Sequence, residues 1–370
     1  MCYLIVSLTF LLIITSPIIG WITGINVNIS ENRVLSARPP LSLRGFIDKG
    51  YYSKYEQYVN EQFVFRGWLI KLKNWLDYYI FDTSPTLKAY VAQNGWIYFY
   101  DGLWSYMKSD CNMKVKMYDF AREIQNLEKV LEASGRKFVF VIAPNKATIY
   151  PEHVGIRRAT RCNKSRYDLL LDAFKDYPVK SFVRLDNLLI RAKDKEQVYY
   201  RTDSHWNIRG AMIMSEAILR HLARDTWTRY FPEIKIVNRK QTKDLANLMG
   251  LNISENTYFA ETISYRSEVR VENLKPLENG YELYRTIAKP HPGERLLPRA
   301  VIYRDSFMEV PMQILKGSFD QSYVIWTHDI LTPEALRELK ASKIVILELV
   351  ERKLPVMIDS KKIETILKED

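Results

Sequence analysis

Two short segments of the sequence combine residue types that can carry nucleophilic chemistry. The first, YYRTDSHWN, places Asp203 and His205 two positions apart, and the second, VIYRDSF, places Ser306 just after a short apolar run. A serine hydroxyl becomes a nucleophile when an imidazole accepts its proton and a carboxylate fixes the tautomer of that imidazole. Residues two apart in extended chain point the same way, so one loop can aim both Asp203 and His205 at a single site. The two segments therefore predict a Ser-His-Asp triad.

Both segments lie where a predicted strand gives way to a predicted helix. In open α/β sheets, sites form at the carboxyl ends of the parallel strands, and a helix N-terminus favours the negative charge of an oxyanion. The alternative is structural, because Asp203, Asp305 and Ser306 are residue types that commonly cap helices. Each segment alone leaves both interpretations open. Their joint occurrence in one α/β pattern favours the catalytic interpretation.

The elements that must position these residues alternate from about residue 110 onward. Short apolar runs rich in β-branched residues predict buried strands, and apolar residues at helical spacing predict helices. The predicted strands are Lys137 to Pro144, VKSFVRLD, QVYY, RAVIY, SYVIW and KIVILELV, and the predicted helices are Val115 to Ser134, Tyr167 to Tyr177, Asn207 to Leu222, the end of RDSFMEVPMQIL, and TPEALREL. Polar and apolar residues alternate between about 251 and 297, which predicts a β-hairpin insertion. Residues 110–370 are thus predicted to form one α/β domain, with a mostly parallel sheet between two layers of helices.

The first 109 residues are predicted to form three further parts. Residues 1–27 contain no charged side chain and are long enough to cross a bilayer, for which roughly 20 residues are needed. A single transmembrane anchor or an uncleaved signal fits the absence of a basic n-region, and a cleaved signal peptide is the alternative. Residues 28–45, with the adjacent prolines of ARPPLS, are predicted to be a linker. Residues 46–109 are predicted to pack on the core as an amphipathic helix, Phe46 to Phe81, followed by a hairpin around the Asn-Gly turn of VAQNGWIYF.

Charge and cysteine usage limit the partners of this chain. Its 370 residues include 54 Lys and Arg against 43 Asp and Glu, giving a net charge of +11, which favours anionic partners such as acidic polysaccharide or lipid headgroups. The basic residues are scattered and no nucleic-acid-binding motif occurs, so nucleic acid is not an expected partner. Cys111 and Cys162 are candidates for a disulfide, with two free thiols as the alternative. No phosphate loop, dinucleotide fingerprint or metal-ligand spacing occurs, so neither a cofactor nor a metal is expected.

Five segments of the chain resemble a known family: NEQFVFR, NGWIYF, VIAPNKATIYPE, YYRTDSHWNIRGA and YRDSF. They are similar to the SGNH-hydrolase-like proteins of alginate and related exopolysaccharide O-acetylation, also labelled DHHW-type. The resemblance implies a permuted SGNH-hydrolase-like α/β/α sandwich in which Ser306 is the nucleophile, His205 the general base and Asp203 the orienting carboxylate. In this permuted topology the serine follows the Asp and His segment.

The resemblance also implies an activity and a cellular setting. The chain is expected to transfer acetyl groups to hydroxyls of an extracytoplasmic polysaccharide, taking them from a donor delivered by a membrane-bound O-acyltransferase. It is expected to be a single-pass protein of the cell membrane with its catalytic domain in the periplasm or outside the cell. Two alternatives stay open: a carbohydrate esterase that uses the same triad, and a non-catalytic polysaccharide-binding subunit.

The sequence departs from the family at the turn before the nucleophile. Where the family has Gly-Asp-Ser, this chain has Arg304-Asp305-Ser306, which removes easy access to positive φ and adds a cation that could bind an anionic substrate. Asn145 and Lys146, at the end of a predicted strand, are further candidates for binding substrate or an oxyanion. Their alternative role is a simple turn after that strand.

Overall fold

The computed structural model of the protein describes residues 2–23, 35–40, 49–107, 111–155, 164–274 and 283–368. The chain divides into two compact units, one of residues 1–91 and 246–252 and the other of residues 92–245 and 253–370. The first boundary thus falls at residue 91, whereas the sequence predicts it at 109. The three candidate triad residues all belong to the second unit.

The first unit is helical. Its elements are helices α1 (Cys2–Thr23), α2 (Lys49–Glu61) and α3 (Arg66–Tyr79), followed by a short strand β1 (Ala89–Val91). The predicted continuous helix from Phe46 to Phe81 is therefore wrong, because the chain turns between α2 and α3. In this turn the rings of Phe63 and Phe65 contact each other edge to face, and the backbone N–H of Arg66 donates to the Phe63 carbonyl at 2.9 Å. Of the predicted linker, residues 35–40 are described, and they form neither helix nor strand.

Helix α1 occupies the position of the predicted membrane anchor. Within the described ranges, no helix meets the combination of length and apolar composition that crossing a membrane requires. The prediction of a transmembrane helix is therefore not supported.

The rest of the chain alternates strands and helices, as predicted. The strands are β2 (Ile97–Phe99), β3 (Lys137–Ala143), β4 (Phe182–Val183), β5 (Glu233–Thr242), β6 (Ser254–Ser264), β7 (Ser267–Asn273), β8 (Tyr284–Pro290), β9 (Ala300–Arg304), β10 (Gln321–Trp326) and β11 (Ile344–Val350). The helices are α4 (Tyr100–Met107), α5 (Lys114–Ala133), α6 (Lys146–Ile149), α7 (Arg166–Asp176), α8 (Asp186–Lys193), α9 (Ile208–Ala223), α10 (Asp244–Leu248), α11 (Glu309–Leu315), α12 (Pro333–Ala341) and α13 (Ser360–Lys368).

The central sheet of the second unit is mixed. Its seven strands lie in the order β4-β3-β11-β9-β10-β8-β7. The first five are parallel to one another, whereas β8 runs antiparallel to β10 and β7 antiparallel to β8. The predicted hairpin is confirmed as β7 and β8, and it extends the central sheet instead of forming a separate insertion. Its predicted turn falls within residues 275–282, outside the described residues.

The inner strands are buried on both faces, because their sequences are continuously apolar. All seven residues of β11 are buried, and so are six of the seven in β3. On one face Phe140 and Leu347 join a core cluster with side chains of α5, α7, α12 and α13. On the other face Val139 and Val141 are fully buried, and α9 contacts β3. This is the predicted three-layer α/β/α arrangement, and it brings the carboxyl ends of β3, β11 and β9 to one edge of the sheet.

Two parts of the second unit differ from the predicted pattern of strands. Strands β5 and β6 pair in a separate antiparallel ribbon that the sequence pattern did not indicate, since β5 is polar and largely exposed. The predicted strand QVYY is reduced to an isolated bridge between Tyr199 and Trp206.

The Asn-Gly turn is confirmed, because Asn94 and Gly95 both adopt positive φ, at 57° and 73°. Cys162 lies outside the described residues, so its disulfide with Cys111 stays a prediction.

Candidate active site

The turn that carries Ser306 is fixed by a buried carboxylate. Strand β9 ends at Arg304, and the fully buried Asp305 follows it. The Asp305 carboxylate accepts hydrogen bonds from the backbone N–H of Phe307 at 2.9 Å and of Val350 at 2.6 Å. Asp305 thereby caps the short 3₁₀ helix Ser306–Met308 and ties it to the end of β11. Because Asp305 does the capping, the Ser306 hydroxyl is left for another role.

Glu348, on the neighbouring strand β11, also supports the turn that carries Ser306. Glu348 is fully buried, and its Oε2 accepts the backbone N–H of Asp305 at 2.8 Å. Burial, together with the nearby Asp305 carboxylate, raises the pKa of Glu348 well above its ordinary value. A raised pKa favours the neutral form of Glu348, which reduces its repulsion with the Asp305 carboxylate.

Two side chains fix the C-terminal end of the loop that carries Asp203 and His205. The Asn207 side chain accepts the N–H groups of Arg209 and Gly210 and so caps α9. The fully buried Trp206 donates its indole N–H to the Phe307 carbonyl at 3.1 Å, which ties this loop to the nucleophile turn. Since Asn207 caps the helix, the capping alternative for Asp203 is wrong.

Ser306, His205 and Asp203 form a continuous hydrogen-bonded chain. The His205 Nε2 lies 2.9 Å from the Ser306 Oγ, and the His205 Nδ1 lies 2.8 Å from the Asp203 Oδ1. Asp203 also accepts the backbone N–H of His205 at 2.9 Å. A proton on Nδ1 directed at the carboxylate leaves Nε2 as the acceptor for the serine hydroxyl, which is the tautomer that general-base catalysis needs. The geometry therefore suits abstraction of the Ser306 proton.

The ionisation of Asp203 suits this arrangement. Burial works against its charge, but the hydrogen bonds and the charge of His205 hold the pKa of Asp203 well below its ordinary value. Asp203 is thus ionised throughout the physiological range. It can accept the Nδ1 proton and stabilise the imidazolium that forms when Ser306 is deprotonated.

Lys146 donates hydrogen bonds to the backbone of the loop that carries Asp203. These bonds argue against its predicted contact with substrate. Its buried ammonium donates to the backbone carbonyls of Tyr200, Arg201 and Asp203 at 3.1, 2.9 and 2.6 Å. Burial lowers the pKa of Lys146 to about 8. All three of its donors are used, so Lys146 holds the loop and has none left for an oxyanion.

Arg304 also differs from its predicted role. Its side chain is 3% exposed, and its guanidinium lies over the Trp326 ring at 4.6 Å. This burial argues against contact with an anionic substrate. The missing glycine of the family turn costs little here, because Arg304 is the last residue of β9 and Asp305 has a φ of −116°.

Asn145, predicted to bind substrate or an oxyanion, has a buried side chain. It lies at the carboxyl end of β3, two strands from β9 and so about 10 Å along the same edge of the sheet. Its backbone N–H donates to Glu351 at 2.8 Å. Its side-chain amide is buried, and neither its nitrogen nor its oxygen has a hydrogen-bond partner among the described residues. An amide in this condition is available to a bound ligand.

Two acidic residues of the site come from segments that carry no motif. Glu255, on β6, accepts the N–H groups of Arg201 and Thr202 at 2.9 and 2.7 Å and so supports the Asp203 loop. Asp244, at the start of α10, contacts both Ser204 and His205. Neither was predicted. Glu348 had a usable signal, since it is a single carboxylate within the otherwise apolar run IVILELV.

The only candidate group of metal ligands in the described part of the chain consists of Asp203, His205 and Asp244, whose ligand atoms lie within 4.8 Å of one another. The contact between Asp203 and His205 is a hydrogen bond of 2.8 Å. A cation would have to displace the proton that this bond contains. We therefore interpret the group as a hydrogen-bonded network and assign no metal to it.

Comparison with known proteins gives three kinds of match. The family model described as an SGNH hydrolase-like domain of the acetyltransferase AlgX matches residues 90–290, more than half of the 370-residue chain. This range includes Asp203 and His205 and ends before Ser306. A probable alginate O-acetylase AlgJ of Pseudomonas syringae is 32% identical over 157 residues, which are 42% of this chain and 39% of that protein. A probable AlgJ of Pseudomonas aeruginosa is 30% identical over 95 residues, 26% of this chain and 24% of that protein.

The matches to these relatives span about two fifths of their length or less. Among solved structures, the O-acetyltransferase domain of Pseudomonas putida AlgJ is similar with a TM-score of 0.47 and 18% identity, covering 75% of this chain and 98% of that one. Bacillus cereus PatB1 is similar with a TM-score of 0.49 and 12% identity, covering 71% of this chain and 94% of that one.

Proposed function

Because the chain belongs to the family of SGNH hydrolase-like acetyltransferase domains represented by AlgX, we propose that it transfers acetyl groups to the hydroxyls of an extracytoplasmic polysaccharide. The observation that carries this proposal is the hydrogen-bonded chain from Ser306 through His205 to Asp203, with distances of 2.9 and 2.8 Å. An alginate-like acceptor is proposed because the relatives are named probable alginate O-acetylases.

The reaction proceeds in two half-reactions. In the first, His205 Nε2 takes the proton of the Ser306 hydroxyl while Oγ attacks the carbonyl of the acyl donor, and the imidazolium then gives this proton to the leaving group as the tetrahedral intermediate collapses. In the second, His205 takes the proton of a sugar hydroxyl whose oxygen attacks the acetyl-serine, and it returns this proton to Ser306 Oγ as the ester bond to the serine breaks. Asp203 stays ionised and stabilises the imidazolium in both steps.

Asn145 is the proposed side-chain donor to the oxyanion of each tetrahedral intermediate. Its amide is buried and without a partner among the described residues. Glu351 accepts the backbone N–H of Asn145 and so fixes the backbone from which this side chain extends. A fixed donor of this kind stabilises developing negative charge at little reorganisation cost.

Transfer and hydrolysis differ in whether sugar or water reaches the acetyl-serine. We therefore expect the purified protein, given an acetyl ester and an acidic oligosaccharide, to form an acetylated oligosaccharide faster than free acetate. Mass spectrometry of the oligosaccharide and an acetate assay measure the two products in one reaction. Release of acetate alone at every oligosaccharide concentration would identify an esterase, and no reaction with any ester would identify a binding subunit.

We further propose that the second unit functions outside the cytoplasm and takes its acetyl groups from a membrane-bound O-acyltransferase. The proposal rests on the charge-free residues 2–27 and on the extracytoplasmic nature of the proposed acceptor. Alkaline phosphatase fused after Asp370 is expected to be active in intact cells, because the phosphatase requires an oxidising compartment to form its disulfides. An intact but inactive fusion would place the second unit in the cytoplasm.

A further inference from the structure

A second carboxylate lies beside the catalytic imidazole. Asp244 begins the short helix α10, far from the Asp203 segment in sequence. Its Oδ1 accepts the backbone N–H of Ser204 at 2.9 Å, and its Oδ2 accepts the Ser204 hydroxyl at 2.9 Å. Both carboxylate oxygens thus accept hydrogen bonds from Ser204, the residue between Asp203 and His205. The Asp244 carboxylate therefore restrains the backbone next to His205.

Asp244 also acts on the imidazole itself. Its Oδ2 lies 3.6 Å from His205 Nδ1, compared with 2.8 Å for the Asp203 Oδ1. The Ser204 Oγ lies 3.3 Å from the same nitrogen. Asp203 therefore takes the short hydrogen bond, while Asp244 adds a second negative charge at a longer distance. That charge stabilises the imidazolium without competing for the Nδ1 proton.

We propose that Asp244 is a positioning residue that orients the Ser204–His205 segment and increases the basicity of His205 for attack by Ser306. The proposal deepens the acyl-transfer function proposed above and rests on it. Asp203 sets the tautomer of the imidazole, and Asp244 sets how tightly the imidazole holds the proton that it takes from the serine.

The charged groups that act on Asp244 come from several segments of the chain. Asp203 and His205 face it from their loop, Lys243 precedes it, Lys146 acts from α6, and Arg352 from the 3₁₀ helix Glu351–Lys353 that follows β11. Glu255 on β6 acts on the two lysines. Burial, followed by the charge of Asp203, raises the pKa of Asp244 to about 6. The second negative charge is therefore present above about pH 6, and it is lost as the pH falls through that value.

The variant Asp244→Asn removes this charge and keeps the size of the side chain. We expect the imidazole of His205 to be protonated less readily in this variant than in the wild type, because a nearby negative charge favours the protonated form. NMR of the histidine Hε1 protons measures this directly. The chain has 5 histidines, so His205→Gln identifies the signal. The readout does not require turnover, so it tests the proposal even if acyl transfer fails.

In turnover, Asp244→Asn is expected to lower kcat by about tenfold with little change in KM, because it disturbs the orientation of the base and not substrate binding. The acidic limb of the kcat/KM profile should move to lower pH together with the NMR midpoint. Asp225→Asn removes the same charge from an exposed turn and should change neither quantity. An unchanged His205 titration and an unchanged pH profile in Asp244→Asn would overturn the proposal.

The variant Ser204→Ala separates the effect of orienting His205 from the effect of the negative charge of Asp244. It removes the hydroxyl that bonds Asp244 and keeps both carboxylates. We expect a fall in kcat with a smaller shift of the His205 titration than in Asp244→Asn. The double variant should be less impaired than the product of the two single effects, because both changes act on one network. Fully multiplicative effects would show that Ser204 and Asp244 act independently and would overturn the positioning role.

Discussion

Replacing Ser306 with alanine lowers acetyl-ester turnover by about 10⁴-fold or more, because the hydroxyl that forms the covalent intermediate is gone. The thermal midpoint should change little, since Asp305, and not Ser306, caps the turn and binds the end of β11. Adding His205→Ala to Ser306→Ala should cost almost nothing more, because the base has no proton left to accept. Steady-state kinetics and thermal melting measure these outcomes.

A sulfonyl fluoride tests the same assignment without a substrate. Wild-type protein should gain one adduct on Ser306, and the His205→Ala variant should gain almost none, as read by peptide mass spectrometry. Ser53→Ala, at an exposed serine on α2, is the matched control and should label and turn over like the wild type. Near wild-type turnover by Ser306→Ala would exclude Ser306 as the nucleophile.

Asp203→Asn is expected to lower kcat by about 10⁴-fold while the fold stays intact. In the wild type the His205 Nδ1 proton points at the Asp203 carboxylate, 2.8 Å away. An asparagine amide can donate to Nδ1 instead, which moves the ring proton to Nε2. A protonated Nε2 cannot accept the Ser306 hydroxyl, so the nucleophile is no longer activated. Kinetics with an acetyl ester measure the loss, and NMR of His205 reports the tautomer.

Asp305→Asn is the informative comparison for this prediction. Asp305 accepts two backbone N–H groups in a fully buried position and makes no contact with the imidazole among its hydrogen bonds. Its replacement should lower the thermal midpoint more than Asp203→Asn does. If instead Asp203→Asn unfolded the protein as readily as Asp305→Asn, the loss of activity would reflect stability and not the tautomer.

The inner sheet and the three residues that meet at its edge could be predicted from the sequence because their signals are local. Strands β3, β9 and β11 are continuous apolar runs, and such runs are buried whatever surrounds them. Ser306 comes directly after β9, so the parallel topology is enough to place it at this edge. Asp203 and His205 follow only the isolated bridge at Tyr199, and their shared loop was predicted from their spacing. The family resemblance added the assignment of their roles.

The supporting residues could not be predicted in the same way, because each depends on where another segment packs. Asp244 and Glu255 come from α10 and β6, whose sequences carry no motif. Lys146 and Arg304 were predicted as substrate contacts from their position in the chain. The structure gives Lys146 three backbone carbonyls and Arg304 an aromatic ring, partners that no pattern of sequence spacing reveals.

The indole bond from Trp206 to the Phe307 carbonyl, like the contact of His205 with Ser306, joins residues 101 positions apart. Contacts of such long range carry a large entropic cost of loop closure, because about a hundred residues must be ordered between their ends. We therefore expect a partly folded chain to lack the contact between His205 and Ser306. Reactivity of Ser306 toward acyl donors is then expected to appear only when the sheet is complete.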